Sequence, residues 1–124
     1  MTENRSAAYH RERLAEALKE QIAIVIEGEL ADPRIGLATV TEIVIAPGGK
    51  AARVLVQAVG SEEEQQQTLE GLTAARAYVR SSVREALGLR HAPELTFHLD
   101  HSMEFGGRID QLLHRVEKRA KKKP

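Results

Sequence analysis

Leu89-Arg90-His91-Ala92-Pro93-Glu94-Leu95-Thr96-Phe97-His98-Leu99-Asp100-His101-Ser102 is the stretch on which the fold of this chain turns, because it joins a helix end to a short alternating strand. Pro93 disfavours helix at Ala92 and sets an extended start. Beyond it Leu95, Phe97 and Leu99 fall on one face at period two, with Thr96, His98 and Asp100 on the other. Such a strand is buried on one side only, so an apolar layer must lie against that side.

The layer comes from two amphipathic segments. Leu14, Leu18, Ile22, Val25, Ile26 and Leu30 recur at three- and four-residue steps, the apolar stripe of a helix from about Ala7 to Leu30, stopped by Asp32-Pro33. Ser61 with Glu64 three residues on has the form of a capping box. Leu69, Leu72, Ala75, Val79, Val83 and Leu87 then carry a second stripe to Gly88, a C-terminal stop. Between these helices, Thr39 to Ile45 and Ala52 to Val59 are rich in β-branched residues and flank Pro47-Gly48-Gly49-Lys50, which reads as a hairpin. After the Leu95 to Leu99 strand, Gly106-Gly107 opens a last helix with Ile109, Leu112, Leu113 and Val116 as its short stripe. The order helix, strand, strand, helix, strand describes an α+β layer, with helices packed on one face of a three-stranded sheet.

A chain of 124 residues with 42% hydrophobic content supports one core and is too short for two. We expect a single domain over residues 1–117 and a basic tail over residues 118–124. No stretch approaches the roughly 18 to 20 apolar residues of a membrane span, and Met1 to Arg11 lacks the apolar centre of a secretory signal, so the expected compartment is the cytoplasm. The absence of cysteine removes disulfides, thiol nucleophiles and cysteine-ligated metal sites.

The formal net charge of zero argues against a nucleic-acid partner only until its distribution is considered. Residues 61 to 70 carry four glutamates and no basic residue, whereas residues 71 to 91 carry Arg76, Arg80, Arg84 and Arg90 against Glu85 alone. From His114 to Pro124 six basic residues face only Glu117. Positive charge is segregated rather than absent, and segregated charge can still bind phosphate. Arg76, Arg80 and Arg84 are spaced by four along one side of a helix. Each follows an inward residue by one position, about 100° around the axis, which brings its guanidinium to the surface beside the core. A planar, permanently charged fork suits phosphate there; a solvated helix face with local carboxylate pairs has the same pattern. Lys118 to Lys123 either neutralise phosphates without sequence preference or act as a solubilising end. Only Tyr9, Tyr78, Phe97 and Phe105 are aromatic, and Phe97 belongs to the core, so serial base stacking is not expected.

Together with Asp32-Pro33-Arg34 upstream, the opening stretch resembles the bacterial ribosome-binding factor A family, over roughly residues 10 to 116. Arg13, Leu72, Arg80, Leu89-Arg90, Pro93-Glu94-Leu95, Phe97, Asp100 and Ser102 also stand where that family's pattern has such residues. The resemblance implies a type II KH-like domain in which the middle helical region is two helices meeting at a kink, plus a C-terminal helix. It further implies a non-catalytic, cytoplasmic RNA-binding protein of ribosome biogenesis that acts on the small (30S) subunit in 16S rRNA processing. The expected RNA contacts are Arg13, Arg76, Arg80, Arg84 and Arg90. The partner would be the small subunit and its rRNA, with no cofactor, no small-molecule substrate and no membrane, and the protein would be a monomer.

Three departures stand out. The Gly-x-x-Gly clamp of ordinary KH domains is missing, since no two of the nine glycines are three residues apart. The family's own Ala-x-Gly at the kink is here Ala75-Arg76-Ala77, and alanine is a far better helix former than glycine, which permits a continuous helix. We nevertheless expect a bend, because Ala75 and Ala77 are small enough for close backbone approach. The hairpin also lacks the family's turn Asp and its Val-Tyr-Val, having Gly48 and Val54-Leu55-Val56.

Two other classes of function remain open at this level. One is a protein-interaction module that docks through the basic helix or a sheet edge. The other is a metal-dependent hydrolase using His98, Asp100 and His101, with Glu104 as a fourth group; against it, His101 points away from the strand face shared by His98 and Asp100, and a carboxylate at a strand end is commonly a turn or cap acceptor. Asp32-Pro33-Arg34 has its own plain reading, a helix stop with a local ion pair.

Overall fold

A computed structural model describes residues 5 to 102. In chain order they form α1 (Arg5–Gly28), β1 (Ala38–Ile45), β2 (Ala51–Ala58), α2 (Glu62–Ala74), α3 (Arg76–Leu87) and β3 (Glu94–Leu99). The helix expected beyond Gly106 and the basic tail lie outside the described residues.

α1 stops at Gly28, short of the expected Leu30. Glycine is the poorest helix former after proline, and the Glu29 amide closes the last turn on the Val25 carbonyl at 2.9 Å. Leu30, just beyond, still packs half-buried against the core. The hairpin forms as expected, with Gly48 and Gly49 at φ 91° and 74°, left-handed values that glycine adopts without strain. The start of α2 is the capping box read from the sequence: Ser61 Oγ accepts from the Glu64 amide and Glu64 Oε1 from the Ser61 amide, both at 3.1 Å. The Ser61 backbone bond, with the Ser61 side-chain bond behind it, holds the Glu64 carboxyl below its usual range.

The sheet order is β1-β2-β3, with β2 antiparallel to β1 and parallel to β3. The parallel pair requires a crossover, which α2 and α3 supply. β1 is not a simple alternating strand. Its register shifts between Val40 and Glu42, a β-bulge that leaves Thr41 extra and puts the buried residues at 40, 43 and 45.

One face of the sheet carries Val40, Ile43, Ile45, Val54, Val56, Leu95 and Phe97, all buried. Against it lie Leu18, Ile22, Val25 and Ile26 of α1, Leu72 of α2, and Val79 and Val83 of α3. Each such side chain contributes roughly 1.5–3 kcal/mol over an exposed one. The other face is open, with Val44, Arg53 and Thr96 in one cross-strand row and Glu42, Leu55 and His98 in the next. This is the α+β, KH-like layer expected from the sequence, with helices on one side of three strands.

The middle helical region does break, at Ala75 (φ −90°, ψ 1°). The Ala75 amide is shared between the Gly71 and Leu72 carbonyls at 3.1 Å each, and its carbonyl takes the Val79 amide at 3.0 Å, starting α3. These angles lie in the bridge region, open to alanine, and no non-glycine residue has positive φ. The break therefore needs no glycine.

Candidate nucleic-acid interface

Because the break precedes Arg76, the three arginines spaced by four all belong to α3 and share one helical axis. Val79 and Val83 fix the inward face at 0% and 1% exposure, and Arg76, Arg80 and Arg84 stand exposed beside it. Gly88 caps the helix in the left-handed conformation (φ 62°), and the chain turns back through Arg90, His91 and Ala92 to enter β3.

Two adjoining open depressions lie along this seam. One, of about 260 Å³, is lined by Arg76, Ala77 and Arg80 from α3 and by Glu94, Leu95 and Thr96 from β3. The other, of about 310 Å³, is lined by Ala77, Arg80, Ser81 and Arg84 with Arg90, His91 and Ala92. Their size is at the lower limit of sites that enclose a small ligand, and together they make one shallow groove with four arginines and a single carboxylate on its walls. Among the described residues the side chains of Arg76, Arg84 and Arg90 form no ion pair or hydrogen bond. Arg80 is different: its Nε and Nη2 donate to the Ala92 carbonyl at 3.0 and 2.7 Å.

The wall opposite α3 is a sheet edge. Glu94 and Asp100 donate their amides to the Lys50 and Val56 carbonyls of the β2 side. The even-numbered positions of β3 therefore face β2, and the backbone N–H and C=O groups of Leu95, Phe97 and Leu99 point outward. Among the described residues nothing pairs with that edge.

Arg13 is the one predicted contact outside the groove. It lies on α1, where its Nη1 donates to the Tyr9 hydroxyl at 3.0 Å and its guanidinium stands 5.7 Å from the Tyr9 ring centre. Sequence reasoning missed Ala77, Ser81, His91 and Thr96 as lining residues, as well as the Arg80–Ala92 bridge. Pro93 carried a signal for the bridge: it holds Ala92 out of the helix and out of the ladder, leaving a carbonyl for a side chain to take.

The remaining motifs serve the scaffold. Asp32 accepts from the Arg34 backbone amide at 2.9 Å and pairs with its Nη2 at 2.6 Å, so the Arg34 side-chain bond holds the Asp32 carboxyl low. Thr68 of α2 then accepts the Gly36 amide at 3.1 Å, tying this turn down. Asp100 ties the end of β3 to the bulge in β1. It accepts from the Ser102 amide at 2.9 Å and from the Thr41 hydroxyl at 2.5 Å, and the Ser102 and Thr41 bonds lower its pKa to about 2. His98 Nε2 is 3.0 Å from Thr96 Oγ1. His98, Asp100 and His101 do not form a cluster fit to hold a metal, and no group of three or more His, Asp or Glu side chains among the described residues does; Glu104 lies outside them.

The model of the family described as ribosome-binding factor A matches residues 10–113 of this chain. Ribosome-binding factor A of Koribacter versatilis is 56% identical over 119 residues, spanning 96% of this chain and 97% of that protein. The crystal structure of ribosome-binding factor A from Thermus thermophilus is similar with a TM-score of 0.67 at 26% identity, covering 74% of this chain and 97% of that one. A homology model of the Thermus thermophilus factor, fitted into a cryo-EM map of its complex with the 30S subunit, gives 0.59 at 28% identity over 70% and 91% of the two chains. The chain belongs to the ribosome-binding factor A family.

Proposed function

We propose that this protein is a non-catalytic assembly factor of the cytoplasm that binds the small (30S) ribosomal subunit as a monomer and assists maturation of its 16S rRNA. The observation that carries the reading is the convergence of Arg76, Arg84 and Arg90, none of them paired among the described residues, on one shallow groove beside a free strand edge. Support comes from its similarity to a family member placed on the 30S subunit. Planar guanidinium forks grip phosphate oxygens through parallel hydrogen bonds, and an open groove admits a strand of nucleic acid where it would not enclose a metabolite. No helix among the described residues is long and apolar enough to cross a membrane.

The action is conformational. A folded body held on the RNA backbone favours whichever arrangement of the subunit it binds more tightly, so it promotes maturation only by its differential affinity for immature and mature forms. The test is a combined Arg76→Gln, Arg84→Gln and Arg90→Gln variant in a salt titration of binding to small subunits. Loss of three phosphate contacts should weaken binding and flatten the log–log salt slope by about 0.7–0.9 per contact, without unfolding the domain. Unchanged affinity and slope in a folded variant would remove the groove from the interface.

A further inference from the structure

Arg80 has a place in the groove that the other arginines lack. It lines both depressions, yet its Nε and Nη2 edge, one of the two edges through which a guanidinium can grip a phosphate in parallel, is already turned onto the Ala92 carbonyl. Ala92 is buried and sits in the connection that carries Arg90 and His91 from the end of α3 to β3. Gly88 gives that connection its turn, and Pro93, with no N–H, adds no ladder bond at its far end. The Arg80 bridge therefore ties the connection directly to the helix, and Arg90 shares a depression with Arg84.

We infer that Arg80 is a positioning residue for RNA binding: it fixes the connection that carries Arg90, so that Arg84 and Arg90 present their charges together, and it is not itself a phosphate contact. The inference rests on the reading of the groove as the RNA site. It separates two roles that the regular spacing of Arg76, Arg80 and Arg84 makes look alike. It also predicts that charge alone is not what position 80 requires, since lysine keeps the charge but loses the planar two-bond geometry.

The experiment uses the full chain and purified small subunits, with Arg80→Lys, Arg90→Gln, their double variant and Arg84→Gln. Affinities are measured below the melting transition of each protein, as fixed by circular dichroism. Arg80→Lys retains a cation able to reach the same carbonyl through one bond, which keeps the fold testable. Arg80→Lys and Arg90→Gln should each weaken binding by about tenfold, the scale of one charge-assisted contact. The double variant should be no weaker than either alone, because residues acting through one contact are not additive. Wild-type affinity in Arg80→Lys, with or without a lowered melting temperature, overturns the inference, and so do effects of Arg80→Lys and Arg90→Gln that multiply. If Arg84→Gln and Arg90→Gln both bind as tightly as wild type, the groove itself is not the RNA site and the positioning role falls with it; if they weaken binding while Arg80→Lys does not, only the role of Arg80 falls.

Discussion

Gly71 lies in the interior of α2, where glycine costs stability, and the structure gives the reason it is there. A Cβ at this position would sit 2.6 Å from Ile35 Cγ1, 3.3 Å from Ile35 Cδ1 and 3.4 Å from Arg34 Cβ. The first distance is shorter than side chains tolerate, and the obstructing atom is near the Ile35 backbone, not at a flexible tip. That backbone is not free to retreat: the Asp32–Arg34 pair fixes the residue before it and the Thr68 hydroxyl takes the amide after it. Gly71→Ala thus sets a helix-propensity gain of about 0.5–1 kcal/mol against an overpacking cost of about 1–3 kcal/mol. The balance is a destabilisation of about 1 kcal/mol, up to about 2.5. Gly28→Ala has the opposite sign. Nothing lies within 4 Å of its added Cβ and its backbone needs no positive φ, so it should stabilise by about 0.4–1 kcal/mol. Urea unfolding followed by circular dichroism checks both, with midpoints moving in opposite directions at constant m-value. A Gly71→Ala protein as stable as wild type would refute the close approach of the Asp32–Gly36 turn to α2.

Three further outcomes are expected. The Asp100 pKa is lowered from 3.8 to about 2, so its bonds to Ser102 and Thr41 contribute stability above about pH 4 that is lost as pH falls through 2; Asp100→Asn should lower the neutral-pH melting temperature and flatten this limb, and an unaltered acid limb would count against the clamp. Ala77→Gly places glycine in the first turn of α3, two residues past the break, where no strain awaits relief; it should cost about 0.5 kcal/mol in denaturant unfolding, and a gain would show that the backbone at 77 departs from helix. Truncation after Glu117 removes five basic residues and should reduce RNA affinity at low salt but little at higher ionic strength, while a cooperative loss of thermal stability would make residues 118–124 structural.

Most of the layer was legible because burial on one side leaves a period in the sequence. Leu95, Phe97 and their alternation placed β3, and the Ser61–Glu64 pair and Gly88 placed the outer ends of the middle helical region. The bulge at Thr41 was written in the three-residue step from Val40 to Ile43, but a run of β-branched residues hides such a slip. The pairing of β3 with β2 is a long-range contact that no local pattern encodes. The break falls at Ala75, a residue whose own helix propensity opposes it and which packs partly buried against the core. For the groove, the spacing of Arg76, Arg80 and Arg84 placed all three on one exposed side of α3, where they line the two depressions. Identical residues at identical spacing could not reveal that the middle one is turned onto a backbone carbonyl, because that depends on where the chain returns after Gly88.

Co-sedimentation of the purified protein with small subunits, large subunits and whole ribosomes tests the central claim most directly. The account predicts selective retention on the small subunit, weakened by the combined glutamine variant of Arg76, Arg84 and Arg90 and by rising salt. Equal retention on all three particles, or none on the small subunit, would contradict it.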